Sequence, residues 1–130
     1  MINETSASRA ASLLGRLAFL DAGTLSARMR IYAGEQPASA SEAPGSEILC
    51  EITLSKPAGV VSGASLSLTQ AEEGLIVRTG VASWVRVING DSQTAFDMTA
   101  SIQSGNGEAK FTTVQLYAGG GLRLLSAVLG

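Results

Sequence analysis

The sequence contains no histidine and only one cysteine. Histidine-dependent acid–base chemistry and imidazole metal ligation are therefore excluded. The lone Cys50 excludes an intrachain disulfide scaffold, and in a strand-like run it reads as a small buried hydrophobe. Aromatic residues make up 5% of the chain, with one tryptophan and two tyrosines, which leaves little from which to build a sugar-stacking platform. Charged residues make up 15%, against the usual ~25% of soluble domains. Nine Lys and Arg face eleven Asp and Glu, for a net charge of −2, so the basic excess of a nucleic-acid binder is missing. Long apolar runs are also missing. The segment Leu13 to Leu20 is interrupted by Gly15 and Arg16 and falls short of the ~20 residues needed to span a bilayer. Asn3 and Glu4 stand where a secretory leader would carry its basic region, so neither a membrane segment nor a leader is expected. What remains is a 130-residue chain, 45% hydrophobic, sized for one domain and too weakly charged for pervasive disorder.

Two periodicities divide the chain. Ala10, Leu13, Leu14, Leu17 and Leu20 recur at helical spacing and predict a helix over Ser8 to Asp21. Thr5 or Ser6 can cap its start, and Asp21-Ala22-Gly23 can end it. At this length a helix is marginal alone, so its leucine stripe must dock, either on its own sheet or on a neighbouring subunit. From Arg28 onward the period becomes 2. Met29 and Ile31 alternate with Arg28 and Arg30. Ile48, Cys50, Ile52 and Leu54 alternate with polar neighbours, as do Ala64, Leu66 and Leu68, and Phe96, Met98, Ala100 and Ile102. Val81 to Ile88 is apolar on both faces and predicts a covered central strand; Gly74 to Arg78, Thr112 to Ala118 and Leu122 to Leu129 complete the set. Glu35 to Gly45 reads as a loop, Lys56-Pro57-Ala58-Gly59 as a strand break, and Asn89-Gly90-Asp91 and Ser104-Gly105-Asn106-Gly107 as hairpin turns. The expectation is a mainly β protein: an N-terminal helical arm over residues 1–27 and an antiparallel, jelly-roll-like β-sandwich over residues 28–130.

Chemistry is sparse. Glu51 and Asp97 lie on polar strand faces and are the one carboxylate pair that could meet across a cleft, but nothing in the pattern requires it. Glu72-Glu73 and Asn89-Gly90-Asp91 lack the oxygen density of a calcium loop. Gly119-Gly120-Gly121 lacks the Lys-Ser or Lys-Thr and the helix of a phosphate loop. Arg28 and Arg30 share a strand face, fit for a small anion patch, a solvated face or an intersubunit ion-pair surface. Trp84 lies on the most apolar strand and reads as a core anchor. The abundance of small outward residues and the leucine stripe point to assembly rather than turnover. Leu13, Leu14, Leu17 and Leu20 are thus the candidate subunit interface, with no catalytic, metal-binding or cofactor-binding residue assigned.

Three segments also carry a resemblance. Arg30-Ile31-Tyr32-Ala33-Gly34-Glu35-Gln36-Pro37 resembles RIYxGxxP. Ile48 to Pro57 resembles LLAEITLSxP, and Gly80 to Asp91 resembles GTATWFRIVDSDG. In that order and spacing, with Leu116 to Ala127 standing where a closing VxxGGxVxIxSF run would fall, they are similar to small β-rich structural proteins of tailed bacteriophages and prophages. Cys50 replaces a usual alanine and Val85 a usual phenylalanine. The resemblance implies a virion component made in the bacterial cytoplasm: a head decoration, neck or collar, or tail accessory protein. Its partners would be itself and other virion proteins, with no cofactor, nucleic acid, membrane or small-molecule substrate. The alternative is a host-surface or carbohydrate-binding module of a tail tip or fibre, for which Tyr32 and Tyr117 are the available aromatics.

Overall fold

The computed structural model describes residues 5–129, so the first four residues of the expected arm and Gly130 lie outside it. The order of elements is α1 (Ser6–Leu20), β1 (Arg28–Tyr32), β2 (Ile48–Ser62), β3 (Ser65–Gln70), β4 (Gly74–Ile76), β5 (Gly80–Val81), β6 (Trp84–Ile88), β7 (Thr94–Ile102), β8 (Ala109–Phe111), β9 (Gln115–Leu116), β10 (Gly121–Leu122) and β11 (Leu124–Leu129). Mainly β with one N-terminal helix is as the periodicity predicts.

The sheet is a barrel rather than the expected sandwich. Its strands run β1-β6-β7-β8-β11-β3-β2, and β2 returns to pair with β1, which closes seven strands on themselves. Closure depends on β2. At 15 residues it is long enough to serve two neighbours. Its first half pairs with β1, placing Thr53 opposite Arg28 and Ile48 opposite Tyr32; its second half pairs with β3, placing Gly59 opposite Leu68 and Ser62 opposite Ser65. Lys56-Pro57-Ala58-Gly59 therefore does not break the strand. It forms an irregularity between Leu54 and Gly59, where the register with β3 shifts and the strand bends, as bulges do at barrel corners. Gly59 is required there, because a β-carbon would collide with the Ser67 carbonyl oxygen.

A second departure makes the barrel mixed. Ser104 to Gly107 does not turn a hairpin: β8 lies parallel to β7, with Ala109 beside Ala100 and Phe111 beside Ile102. The linking loop doubles back along β7. Gly107 N donates to Ser101 Oγ at 2.9 Å and Glu108 N to Thr99 Oγ1 at 3.2 Å, while Lys110 Nζ donates to the Gln103 and Gly105 carbonyls. Polar side chains thus guide a return that a parallel pair usually makes through a longer crossover.

The turn over 89–93 does join β6 to β7, by a mechanism other than the one expected. Asn89 is buried, and its Oδ1 accepts from Asp91 N and Gln93 N. The positive φ falls on Ser92, not Gly90; glycine is needed at 90 because a side chain would strike the Leu25 carbonyl oxygen.

The barrel interior is filled by alternate residues of every wall, among them Met29, Ile31, Ile52, Leu54, Leu66, Leu68, Val85, Val87, Met98 and Phe111. Thr5 caps α1 by accepting from Ser8 N at 3.2 Å. The helix packs on β2, β3 and β7, and β7 lies three strands from each of the other two. An element that touches opposite walls, and whose Leu13 and Leu20 join the interior core, must lie across an end of the barrel. Asp21 at its C-terminus holds this position by accepting from Ala58 N at 2.9 Å. At the opposite end the β5–β9 ribbon adds Leu116 and Ala82 to the core.

Candidate functional site

The outer wall of β2, β1, β6 and β7 carries one row of four directly opposed charged residues: Glu51, Arg30, Arg86 and Asp97. Two like charges meet in its centre, and each arginine is drawn to the carboxylate beside it. Arg86 Nε donates to Asp97 Oδ1 at 2.8 Å and Nη2 to Oδ2 at 3.0 Å. These hydrogen bonds hold the Arg86 pKa above its ordinary value, against the effect of burial. Arg30 Nε donates to Glu51 Oε2 at 3.3 Å, and Arg28 Nη1 to Glu51 Oε1 at 3.4 Å. Arg28 Nη2 also reaches Ser92 Oγ at 2.7 Å. The arginines of β1 therefore belong to an intramolecular network. Glu51 and Asp97 stand three strand spacings apart, about 14 Å, and each is bound to arginine. Paired glycosidase carboxylates stand roughly 5–9.5 Å apart.

Beside this row lies an aromatic pair. Tyr32 and Trp84 face one another across β1 and β6 and stack with centroids 4.5 Å apart. The Arg86 guanidinium sits 5.4 Å from the Trp84 ring centroid, within cation–π reach. Trp84 is buried, at 1% exposure, but it points away from the interior that Val85 and Val87 enter. It anchors the outer wall. With Tyr32 equally enclosed, Tyr117 is the tyrosine left outside, at 65% exposure.

Cys50 is buried in the barrel core, and burial together with the negative Glu51 pushes its thiol up to about 11. A thiol so placed stays protonated and poorly nucleophilic at neutral pH. Among the described residues there is no group of three or more Cys, Asp or Glu able to hold a metal ion, and no helix long and apolar enough to cross a membrane.

The leucine stripe divides. Leu13 and Leu20 are buried in the chain's own core, Leu17 is half-buried against it, and Leu14 is 55% exposed. On the exposed side of the same barrel end are Phe19 and Leu25, and a groove of about 660 Å³ runs between the helix (Ser12, Gly15, Arg16, Phe19) and the start of β7. At the far end of β7 a second groove, of about 580 Å³, is lined by Ile102, Phe111 and Leu125 with Gln103, Ser104 and Thr112. Val77, Val81 and Tyr117 are exposed around that same end.

The chain matches no known protein family, no curated protein and no solved structure.

The sequence reading identified the stripe and the tryptophan. It missed the far-end groove, because Ile102 follows interior periodicity, Phe111 lies just before the predicted run that starts at Thr112, and only the end of the wall leaves Ile102 uncovered.

Proposed function

We propose that this protein is a structural subunit of a tailed-bacteriophage or prophage particle, acting by packing against copies of itself and against other particle proteins. The observation that carries the reading is the placement of its exposed apolar side chains. Among the described residues most of them lie towards the two ends of a closed barrel, Leu14, Phe19 and Leu25 at one and Val77, Val81, Ile102, Tyr117 and Leu125 at the other, while Val60, Leu75 and Val128 are exposed on strands β2, β4 and β11. Grouped exposed apolar surface marks an interaction site. The resemblance of Arg30 to Pro37, Ile48 to Pro57 and Gly80 to Asp91 to small virion proteins supports the same assignment. A barrel with no free edge among its seven main strands also suits repeated use in an assembly, since it resists unwanted edge-to-edge pairing.

The test is quantitative mass spectrometry of particles purified from a bacterium carrying this coding sequence. Recovery of the chain at fixed stoichiometry supports the reading. On the order of hundreds of copies per particle would place it on the head, and about six or twelve in the neck or tail. Its absence from intact particles overturns the reading.

A further inference from the structure

We propose that Asn106 is a site of spontaneous covalent modification in the folded protein, where the Gly107 backbone nitrogen displaces the side-chain amide and the Ser101 hydroxyl sets the rate. This chemistry belongs to the chain itself and does not depend on the assembly reading.

Asparagine followed by glycine is the most reactive context for this reaction, because glycine's missing side chain leaves the attacking nitrogen unhindered. The chain holds two such pairs, Asn89-Gly90 and Asn106-Gly107, each followed by an acidic residue, Asp91 or Glu108. Both glycines are fixed by packing. A β-carbon at 90 would strike the Leu25 carbonyl oxygen, and one at 107 would strike the backbone of Ala100 and Ser101. The asparagines differ. Asn89 is buried; its Oδ1 accepts from Asp91 N and Gln93 N, and its Nδ2 donates to Gln93 Oε1 at 3.0 Å. Its side chain cannot swing towards Gly90 N without breaking these bonds. Asn106 is exposed, and among the described residues its side chain has no hydrogen-bond partner. Only its nucleophile is restrained: Gly107 is buried, and its N–H donates to Ser101 Oγ at 2.9 Å. Release of that one bond is a local opening of the loop, whereas release of Asn89 opens the β6–β7 turn.

Gly107 N gives up its proton and bonds to Asn106 Cγ. The Cγ–Nδ2 bond breaks and ammonia departs with that proton, leaving a cyclic imide. Water from the solvent then opens the ring. Addition at Cγ breaks the new bond and gives aspartate. Addition at the main-chain carbonyl carbon breaks the original peptide bond and gives isoaspartate, whose main chain is longer by a methylene group. Either product adds a negative charge to a chain whose net charge is −2. The charge falls in the 103–108 loop, whose first residues Gln103 and Ser104 line the far-end groove. The methylene enters where Gly107 lies against Ala100 and Ser101, just ahead of β8. Modification therefore alters both a candidate contact surface and the return that makes the barrel mixed.

The test holds the purified chain in mildly alkaline buffer, folded or in urea, and follows the mass gain of deamidation. Digestion before Asp91 and Asp97 places the two asparagines on separate fragments. In urea both sites should react at similar rates. In the folded chain Asn106 should react at least about tenfold faster than Asn89, and isoaspartate should be detected at 106 by enzymatic methylation. Ser101→Ala should speed Asn106 about fivefold, the worth of one lost hydrogen bond, while Asn89 stays slow. Ser101→Thr keeps the hydroxyl and should keep the wild-type rate. Asn106→Ala should abolish the reaction without moving the thermal unfolding midpoint. Native Asn89 reacting as fast as Asn106 overturns the proposal, as does native Asn106 still intact once the urea sample has fully reacted. An unchanged rate in Ser101→Ala overturns the role of the hydroxyl. Should that variant misfold, rapid reaction at Asn89 reveals it, and hydrogen exchange of the wild-type Gly107 amide serves in its place: the amide should be protected, and an unprotected amide overturns the hydroxyl's role.

Discussion

Arg86 and Asp97 form a two-hydrogen-bond ion pair on the outside of the barrel, yet their side chains are only 7% and 4% exposed. The pair is enclosed by its own neighbours, with Trp84 beside the guanidinium. Removing one partner leaves a charge that water does not reach. Asp97→Ala is therefore expected to cost about 3 kcal/mol in urea unfolding. The double replacement Arg86→Met with Asp97→Leu should recover most of that loss. A single variant within about 0.5 kcal/mol of wild type would show the pair to be solvated.

The chain's only tryptophan reports on this wall. Trp84 is buried and stacked on Tyr32, so its emission should be blue-shifted and weakly quenched by iodide in the native state. Tyr32→Ala opens one ring face and should raise quenching while leaving the β signal intact. Strong quenching in the wild type would contradict the enclosure.

Much of this architecture is legible in the residues, and the limits are instructive. The period-2 runs give most of the wall strands, because each has one face against the interior; β6 shows instead as a run apolar on both faces, and the three-residue β8 (Ala109–Phe111) falls between the predicted runs. The Leu13/Leu20 side of the helix likewise follows from its spacing. Closure was not legible. It depends on β1 pairing along both edges, and the alternation of Met29 and Ile31 is the same whether the strand has one neighbour or two. Lys56-Pro57 carries a breaker's composition, but Ala58 and Gly59 are buried, and β3 holds the strand through the irregularity. The parallel β7–β8 pair was hidden because its loop has hairpin composition; the return is enforced by Ser101 and Thr99, which look like ordinary outward residues. For the candidate surfaces, spacing located the leucines but could not say which of them the barrel claims.

Cys50 gives the fold an alkaline limit. Its thiol is pushed up to about 11 in the folded chain, against 9.0 when unperturbed. The folded state thus keeps the proton over a window in which the unfolded state loses it. Its contribution to stability is complete below about pH 9 and is lost as pH rises towards 11. In Cys50→Ala this part of the alkaline loss should vanish, measured as a flatter dependence of unfolding free energy on pH between those values. At pH 8 the native thiol should react with a disulfide reagent only after denaturant is added.

The bend of β2 depends on the space that glycine leaves. Gly59→Ala sets a methyl group against the Ser67 carbonyl oxygen on the neighbouring strand, which is backbone and cannot rotate aside. The expected loss is about 1–3 kcal/mol, as for other overpacked interiors. Gly15→Ala meets open space in the middle of α1 and should stabilise by up to about 1 kcal/mol through helix propensity. Thermal unfolding of the two variants should therefore move in opposite directions, and equal shifts would remove the packing explanation.

Three adjacent members of the leucine stripe should behave differently under substitution. Leu13 is 1% exposed inside the barrel core, so Leu13→Ala should cost about 2–5 kcal/mol. Leu14 is one residue away on the solvent side, and Leu14→Ala should stay within about 0.5 kcal/mol of wild type. Leu17 is half-buried against the core, so Leu17→Asp brings a carboxylate against apolar surface and should lower stability whatever its effect on association. A loss of assembly in Leu17→Asp is consequently ambiguous, whereas the same loss in Leu14→Glu with an unchanged unfolding midpoint is specific to the surface. If Leu13→Ala instead leaves stability untouched and Leu14→Ala lowers it, the helix is docked through the other face and its placement across the barrel end is wrong.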